Sequence, residues 1–145
     1  MRKFVLAVSA IVFVTGAAFA DVIANRQAVM KENAKHVGVL VDMVKGETDF
    51  DAAAVQAALT ALNDSVQQID VAASFPPGSD QGDTTASPKI WEDMAGFQAE
   101  VDKFKAVAAE AAAAPAQDIE ALKAQVGVIG ERCSSCHGAY RVKKG

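Results

Sequence analysis

Residues 122–140 read LKAQVGVIGERCSSCHGAY. Leu122, Val126, Ile129, Cys133, Cys136 and Tyr140 recur at steps of three and four. That is the period of one helix face, so the stretch is an amphipathic helix. The chain's only two cysteines fall on its apolar stripe. Three residues apart on a helix, their thiols stand on one side of a single turn. There they can reach the two vinyl groups of one haem. His137 follows directly, and Cys-x-x-Cys-His is the pattern of covalent haem attachment. Cys133 and Cys136 are then thioether anchors, and His137 is the proximal ligand of the iron.

Other readings of the cysteines fit less well. A disulfide across a three-residue helical loop gains little from loop closure. A thioredoxin-like pair opens a helix after a strand, whereas this pair lies near a helix end with no strand in view. Zinc needs four ligands, and besides the cysteines the chain has only His36 and His137.

Outward from that helix, three more follow the same period, with abundant alanine and no β-branched runs. The first has Ile23, Met30, Val37 and Val44 at intervals of seven, with Ala34 and Val41 in the alternate seam, and Gly46 ends it. The second starts at Asp49 or Asp51 as cap and carries Val55, Leu59, Leu62, Val66 and Ile69. Residues 75–87, FPPGSDQGDTTAS, lose all apolar period and form a long connection. Ser87-Pro88 opens the third helix, with Ile90, Met94, Phe97, Val101, Phe104 and Ala108 on its stripe. Pro115 stops it. Four such helices predict an all-α, antiparallel four-helix bundle, with covalently bound haem near one end.

The N-terminus addresses the chain. Arg2 and Lys3 precede an apolar run from Phe4 to Ala20 that is short for a membrane span. Ala18-Phe19-Ala20 is a small-x-small cleavage site, so residues 1–20 read as a cleaved signal peptide and 21–145 as the mature domain. The expected location is the periplasm, with no integral span after cleavage. Without Arg2 and Lys3 the formal charge falls from −4 to −6, with 12 basic residues against 18 acidic. So acidic a chain disfavours nucleic acid and steers towards redox partner proteins with a basic docking surface.

The sixth iron position separates two functions. In an up-down-up-down bundle the start of the first helix lies beside the end of the fourth. His137 and Met30 are both about 12–14 Å from that end by helical rise. Met94 is a second candidate at the same end. Met43 is about 20 Å further along, and His36 is offset from the stripe and reads as a surface histidine. Met30 can equally be core packing. Arg26 and Gln27 lie about one turn before Met30, and Gln27 falls where a hydrophobe belongs in the seam. They can pair with haem propionates or simply face water.

Together these residues resemble the class II c-type cytochromes, the cytochrome c′ family. The resemblance rests on Arg26-Gln27, Lys45-Gly46, Phe50-Asp51-Ala52-Ala53, Phe75-Pro76, Pro88-Lys89-Ile90-Trp91 and the Cys133–Arg141 segment. It covers essentially the whole mature chain. It implies a four-helix bundle with haem near one end, in members that are often homodimers. High-spin members leave the distal face open and bind NO or CO. Low-spin members use a first-helix methionine as sixth ligand. Met30-Lys31-Glu32-Asn33 and Ser87-Pro88-Lys89-Ile90-Trp91 resemble the low-spin branch, although a methionine at this place also occurs in high-spin members. The resulting expectation is a monohaem one-electron carrier with His137 and Met30 as axial ligands, transforming no substrate. The alternative is a five-coordinate, high-spin gas binder.

Overall fold

The computed structural model describes residues 16–143. Arg2, Lys3 and most of the apolar run expected to be a signal lie outside the described residues. Six helices follow: α1 Gly16–Lys45, α2 Ala52–Gln67, α3 Val71–Ser74, α4 Lys89–Glu92, α5 Met94–Ala113 and α6 Ile119–Tyr140. The four long ones form the expected bundle. α1 packs against α2 and α6, and α5 packs against the same two. No strand is found among the described residues, only an isolated bridge between Ala86 and Arg141. No helix among them is long and apolar enough to cross a membrane. α1 runs unbroken through Ala20 and Asp21, so the expected cleavage point falls inside a helix.

The helix ends have local causes. At the end of α1, Gly46 takes φ +76°, and the Glu47 N–H reaches back to the Asp42 carbonyl at 2.8 Å. This left-handed turn suits glycine. Asp51 caps α2, accepting from Ala53 N–H at 2.8 Å and Ala54 N–H at 3.1 Å. Asp118 caps α6 through Ala121 N–H at 2.8 Å. The third predicted helix is split. Asp93 breaks it into α4 and α5, and its carboxylate accepts the Gly96 N–H at 3.0 Å to start α5 afresh. A capping carboxylate competes with continued helix, and apolar periodicity does not register that competition.

The core runs through Leu40, Val55, Leu59, Leu62, Val66, Leu122 and Ile129, all essentially inaccessible. The 75–88 connection straps one end of the bundle. It is held to the end of α6 by Ser87 N–H to the Tyr140 carbonyl and Val142 N–H to the Thr85 carbonyl, both 2.9 Å. It is held to α1 through Ser79 and Asp83. The beginning of α1 and the end of α6 therefore share one end of the molecule.

The buried face of α1 differs from the expected stripe. Ile23, Arg26, Asn33, Leu40 and Met43 are buried, while Ala34 is exposed and Met30 is 41% exposed. The seam turns towards α2, against which Leu40 and Met43 close the core. Two polar residues occupy this buried line, and a hydrophobic period cannot mark them.

Candidate functional site

On α6, Cys133 and Cys136 are half-buried against the core, and His137 is exposed one position on. The cysteines are not joined to each other. Burial pushes the Cys133 thiol up and, with the charge of Glu100 and its neighbour Cys133, pushes Cys136 up to about 11. Both are neutral thiols at neutral pH, which slows thiolate-driven exchange. Burial, then Arg141, lowers the His137 pKa, so its imidazole is neutral and its ring nitrogen is free to ligate a metal. Among the described residues no cluster of three or more His, Cys, Asp or Glu could hold a metal ion by itself. Two unpaired thiols, a neutral imidazole and an apolar surround fit a covalently anchored haem.

Neighbouring contacts hold this turn in place. Ser135, between the cysteines, donates to Glu100 Oε2 on α5 at 2.6 Å. One turn beyond His137, Tyr140 Oη donates to Asp93 Oδ2 at 2.9 Å. That bond, then the Gly96 N–H, holds the Asp93 carboxyl below its usual range, and the same bond raises the Tyr140 phenol.

Arg26 is buried. It donates to Ser79 Oγ at 3.2 Å and to the Ser79 carbonyl at 2.8 Å, with its guanidinium 4.8 Å from the Phe75 ring centroid. Burial lowers its pKa. Gln27 is exposed and donates to the Asp83 carbonyl at 2.7 Å. Both residues therefore tie α1 to the strap. The Trp91 indole N–H donates to the carbonyls of Phe75 and Pro76 at 3.1 and 3.0 Å, fixing the strap's first residues.

An aromatic layer closes this end of the bundle. Arg26 lies over Phe75, Phe75 meets Phe97 at 4.7 Å between centroids, and Phe97 meets Tyr140 at 5.2 Å. From Arg26, Met30 lies about 6 Å along α1 and Asn33 about 10 Å. From Tyr140 back along α6, His137 lies about 4–5 Å away, Cys136 about 6 Å and Cys133 about 10 Å. Arg26 and Tyr140 are both tied to the strap, so Met30 and His137 both stand near the strapped end.

At about 100° per residue, Met30 falls about 40° round α1 from Arg26, and Ile23 about 60° the same way. Met30 thus lies angularly between two buried residues while itself 41% exposed. His36 is the reverse case. It is expected at the surface, yet its side chain is only 19% exposed, with Nε2 3.7 Å from Glu32 Oε2. It falls about 120° round the helix from Met30. Met94 packs against the core at the start of α5, and Met43 is buried within it.

The sequence profile described as "Cytochrome C'" matches residues 21–141. The chain belongs to the cytochrome c′ family. It carries one covalently attached haem c, the family's cofactor, and Cys133 and Cys136 are its only cysteines. A cytochrome c′ of Rhodopseudomonas palustris is 41% identical, over 98% of this chain and 99% of that protein. A cytochrome c-556 of the same organism is 34% identical over the full length of both. A solved structure, a nitric oxide complex of a mutant cytochrome c prime from Alcaligenes xylosoxidans, has a TM-score of 0.76 at 34% identity. It covers 87% of this chain and 97% of its own.

Within this cytochrome c′-family chain, apolar periodicity missed one buried polar residue of α1. Asn33 is 5% exposed, and neither its Nδ2 nor its Oδ1 has a hydrogen-bond partner. Each unmet buried polar group costs about 1–3 kcal/mol. The available signal was the seven-residue line Arg26, Asn33, Leu40, whose third member is wholly apolar.

Proposed function

We propose that this cytochrome c′-family protein is exported to the periplasm and binds a small diatomic gas, NO or CO, on the haem face opposite His137. It transforms no substrate. The haem supplies an iron with one open coordination position. In this reading Cys133 and Cys136 are the thioether anchors and His137 is the proximal ligand. Met30 packs over the open face, and Arg26 and Gln27 hold the strap beside the haem propionates. The observation that carries the reading is the likeness to cytochromes c′: the more similar of the two relatives above is one, and the solved neighbour of that name is a nitric oxide complex. Met30, 41% exposed on α1, fits packing over an open face. Homodimerisation belongs to the same proposal.

A second reading is a one-electron carrier with His137 and Met30 as axial ligands, docking a redox partner with a basic surface. It is favoured by Met30 and His137 both standing near the strapped end and by the full-length likeness to a cytochrome c-556. A methionine sulfur favours the ferrous state relative to a second histidine. The visible spectrum separates the two. The gas binder gives a high-spin ferric spectrum and rapid CO uptake when reduced. The carrier gives a low-spin ferric spectrum with a methionine–iron band towards the red, which Met30→Ala abolishes. That low-spin spectrum, with no CO uptake, would overturn the first reading.

A further inference from the structure

We propose that the carboxylate of Glu100 on α5 tunes the haem iron, favouring its ferric over its ferrous state. The proposal needs only the covalent haem c and holds for either reading above. Geometry ties Glu100 to the attachment turn. Ser135 stands between the two anchors, next to Cys136, and its hydroxyl donates to Glu100 Oε2 at 2.6 Å. The two residues are 35 positions apart, so only the packing of α5 on α6 brings them together. The other oxygen, Oε1, accepts from Lys103 Nζ at 2.6 Å. With both oxygens engaged, the carboxylate is fixed in place. The same two bonds, Lys103 first, hold its pKa below the usual carboxylate range, so it is an anion at neutral pH.

Other carboxylates near the turn are engaged elsewhere. Glu131 is exposed and paired with Arg132 at 2.6 Å. Asp93 is exposed, caps α5 and holds Tyr140. The Glu100 side chain is only 17% exposed, so water and salt screen it less. Its field already reaches an anchor: after burial, Glu100 is the largest cause of the raised Cys136 pKa. The Lys103 cation opposes that field, but its side chain is 56% exposed and its charge is the more strongly screened. Loss of one electron leaves one more positive charge at the iron. A fixed anion nearby stabilises that state, and a nearby cation destabilises it. Removing the charge of Glu100 therefore favours ferrous iron, and removing that of Lys103 favours ferric.

The test is a spectroelectrochemical titration of the holoprotein, comparing wild type with Glu100→Gln, Lys103→Gln and Ser135→Ala. Glutamine keeps an oxygen for the Ser135 hydroxyl and loses only the charge. At a fixed applied potential Glu100→Gln should raise the ferrous-to-ferric ratio about threefold to tenfold. That is what one unit charge does over about 10 Å at an effective dielectric constant of about 25–50. At about 59 mV per tenfold, the midpoint moves up by about 30–60 mV. Lys103→Gln should move it down, by less. A field gives opposite signs at the two ends of one ion pair; loosened packing does not. Ser135→Ala keeps the charge and should shift the midpoint far less than Glu100→Gln. A midpoint that Glu100→Gln leaves unmoved or lowers overturns the proposal, as does an equal rise in Ser135→Ala or any rise in Lys103→Gln. If Glu100→Gln fails to fold, the exposed Lys103→Gln carries the test, and a midpoint that does not fall overturns the proposal. Ferric spin state and CO uptake test the proposed function separately.

Discussion

Replacing Gly96 by alanine sets two physical effects of opposite sign against each other. Gly96 is the third residue of α5, where alanine ordinarily stabilises a helix by about 0.5–1 kcal/mol. Here an added Cβ would lie 2.6 Å from Tyr140 Oη and 2.8 Å from Asp93 Cγ, and would collide with Asp93 Oδ2. Neither partner yields freely. Tyr140 is 7% exposed and packed edge-to-face with Phe97, and Asp93 both caps α5 and receives the Tyr140 hydroxyl. Overpacking of this kind costs about 1–3 kcal/mol. Subtracting the helical gain leaves a net loss of up to about 2.5 kcal/mol, near 1 kcal/mol at the middle of both ranges. In a domain of this size each 1 kcal/mol lowers Tm by roughly 3–6 °C. Guanidinium unfolding of the holoprotein should show a lower midpoint with an unchanged slope. Tyr140 is one turn from His137, so the haem absorption bands should shift as well. A gain of 0.5–1 kcal/mol with unaltered bands would refute the reasoning, because it would mean that Asp93 and Tyr140 swing aside without cost.

Arg26→Ala should cost about 2–3 kcal/mol in urea unfolding, since it removes two charged hydrogen bonds to Ser79 and the stacking on Phe75; a change under 0.5 kcal/mol would contradict the role of Arg26 as a tie. Cys136→Ser should leave a haem held by one thioether, and the double change with Cys133→Ser should leave none, as read by mass after acid–acetone extraction. Tyr140→Phe tests the acid limb of stability. The folded Asp93 pKa is depressed, chiefly by the Tyr140 bond, so this contribution is complete above about pH 4 and is lost as pH falls through the folded value. Circular dichroism of Tyr140→Phe should therefore show a weaker loss of stability on acidification than wild type. The Tyr140 phenol is raised, so its share holds below about pH 10 and fades above. Profiles parallel to wild type would remove the Tyr140–Asp93 bond from the account.

Much of this molecule is set by spacing along the chain. Apolar residues at three- and four-residue steps demand helices, since only a helix gathers them on one face. The cap Asp51 and the turn at Gly46 act within a few residues of themselves, so they were legible where they stand. Cys133, Cys136 and His137 are likewise a local device: one helical turn places both thiols and the imidazole together. What required the tertiary structure is whatever depends on facing another element. The Asp93 carboxylate that caps α5 is held in place by Tyr140, 47 residues away. The duty of Arg26 follows from Ser79, 53 residues away. The rotation of α1 that buries Asn33 and leaves Met30 exposed follows from how α1 leans on α2 rather than α6. A periodicity fixes that a helix has a face; packing against particular neighbours decides which residues of that face are covered, and that choice buried an unpartnered amide and left a methionine exposed.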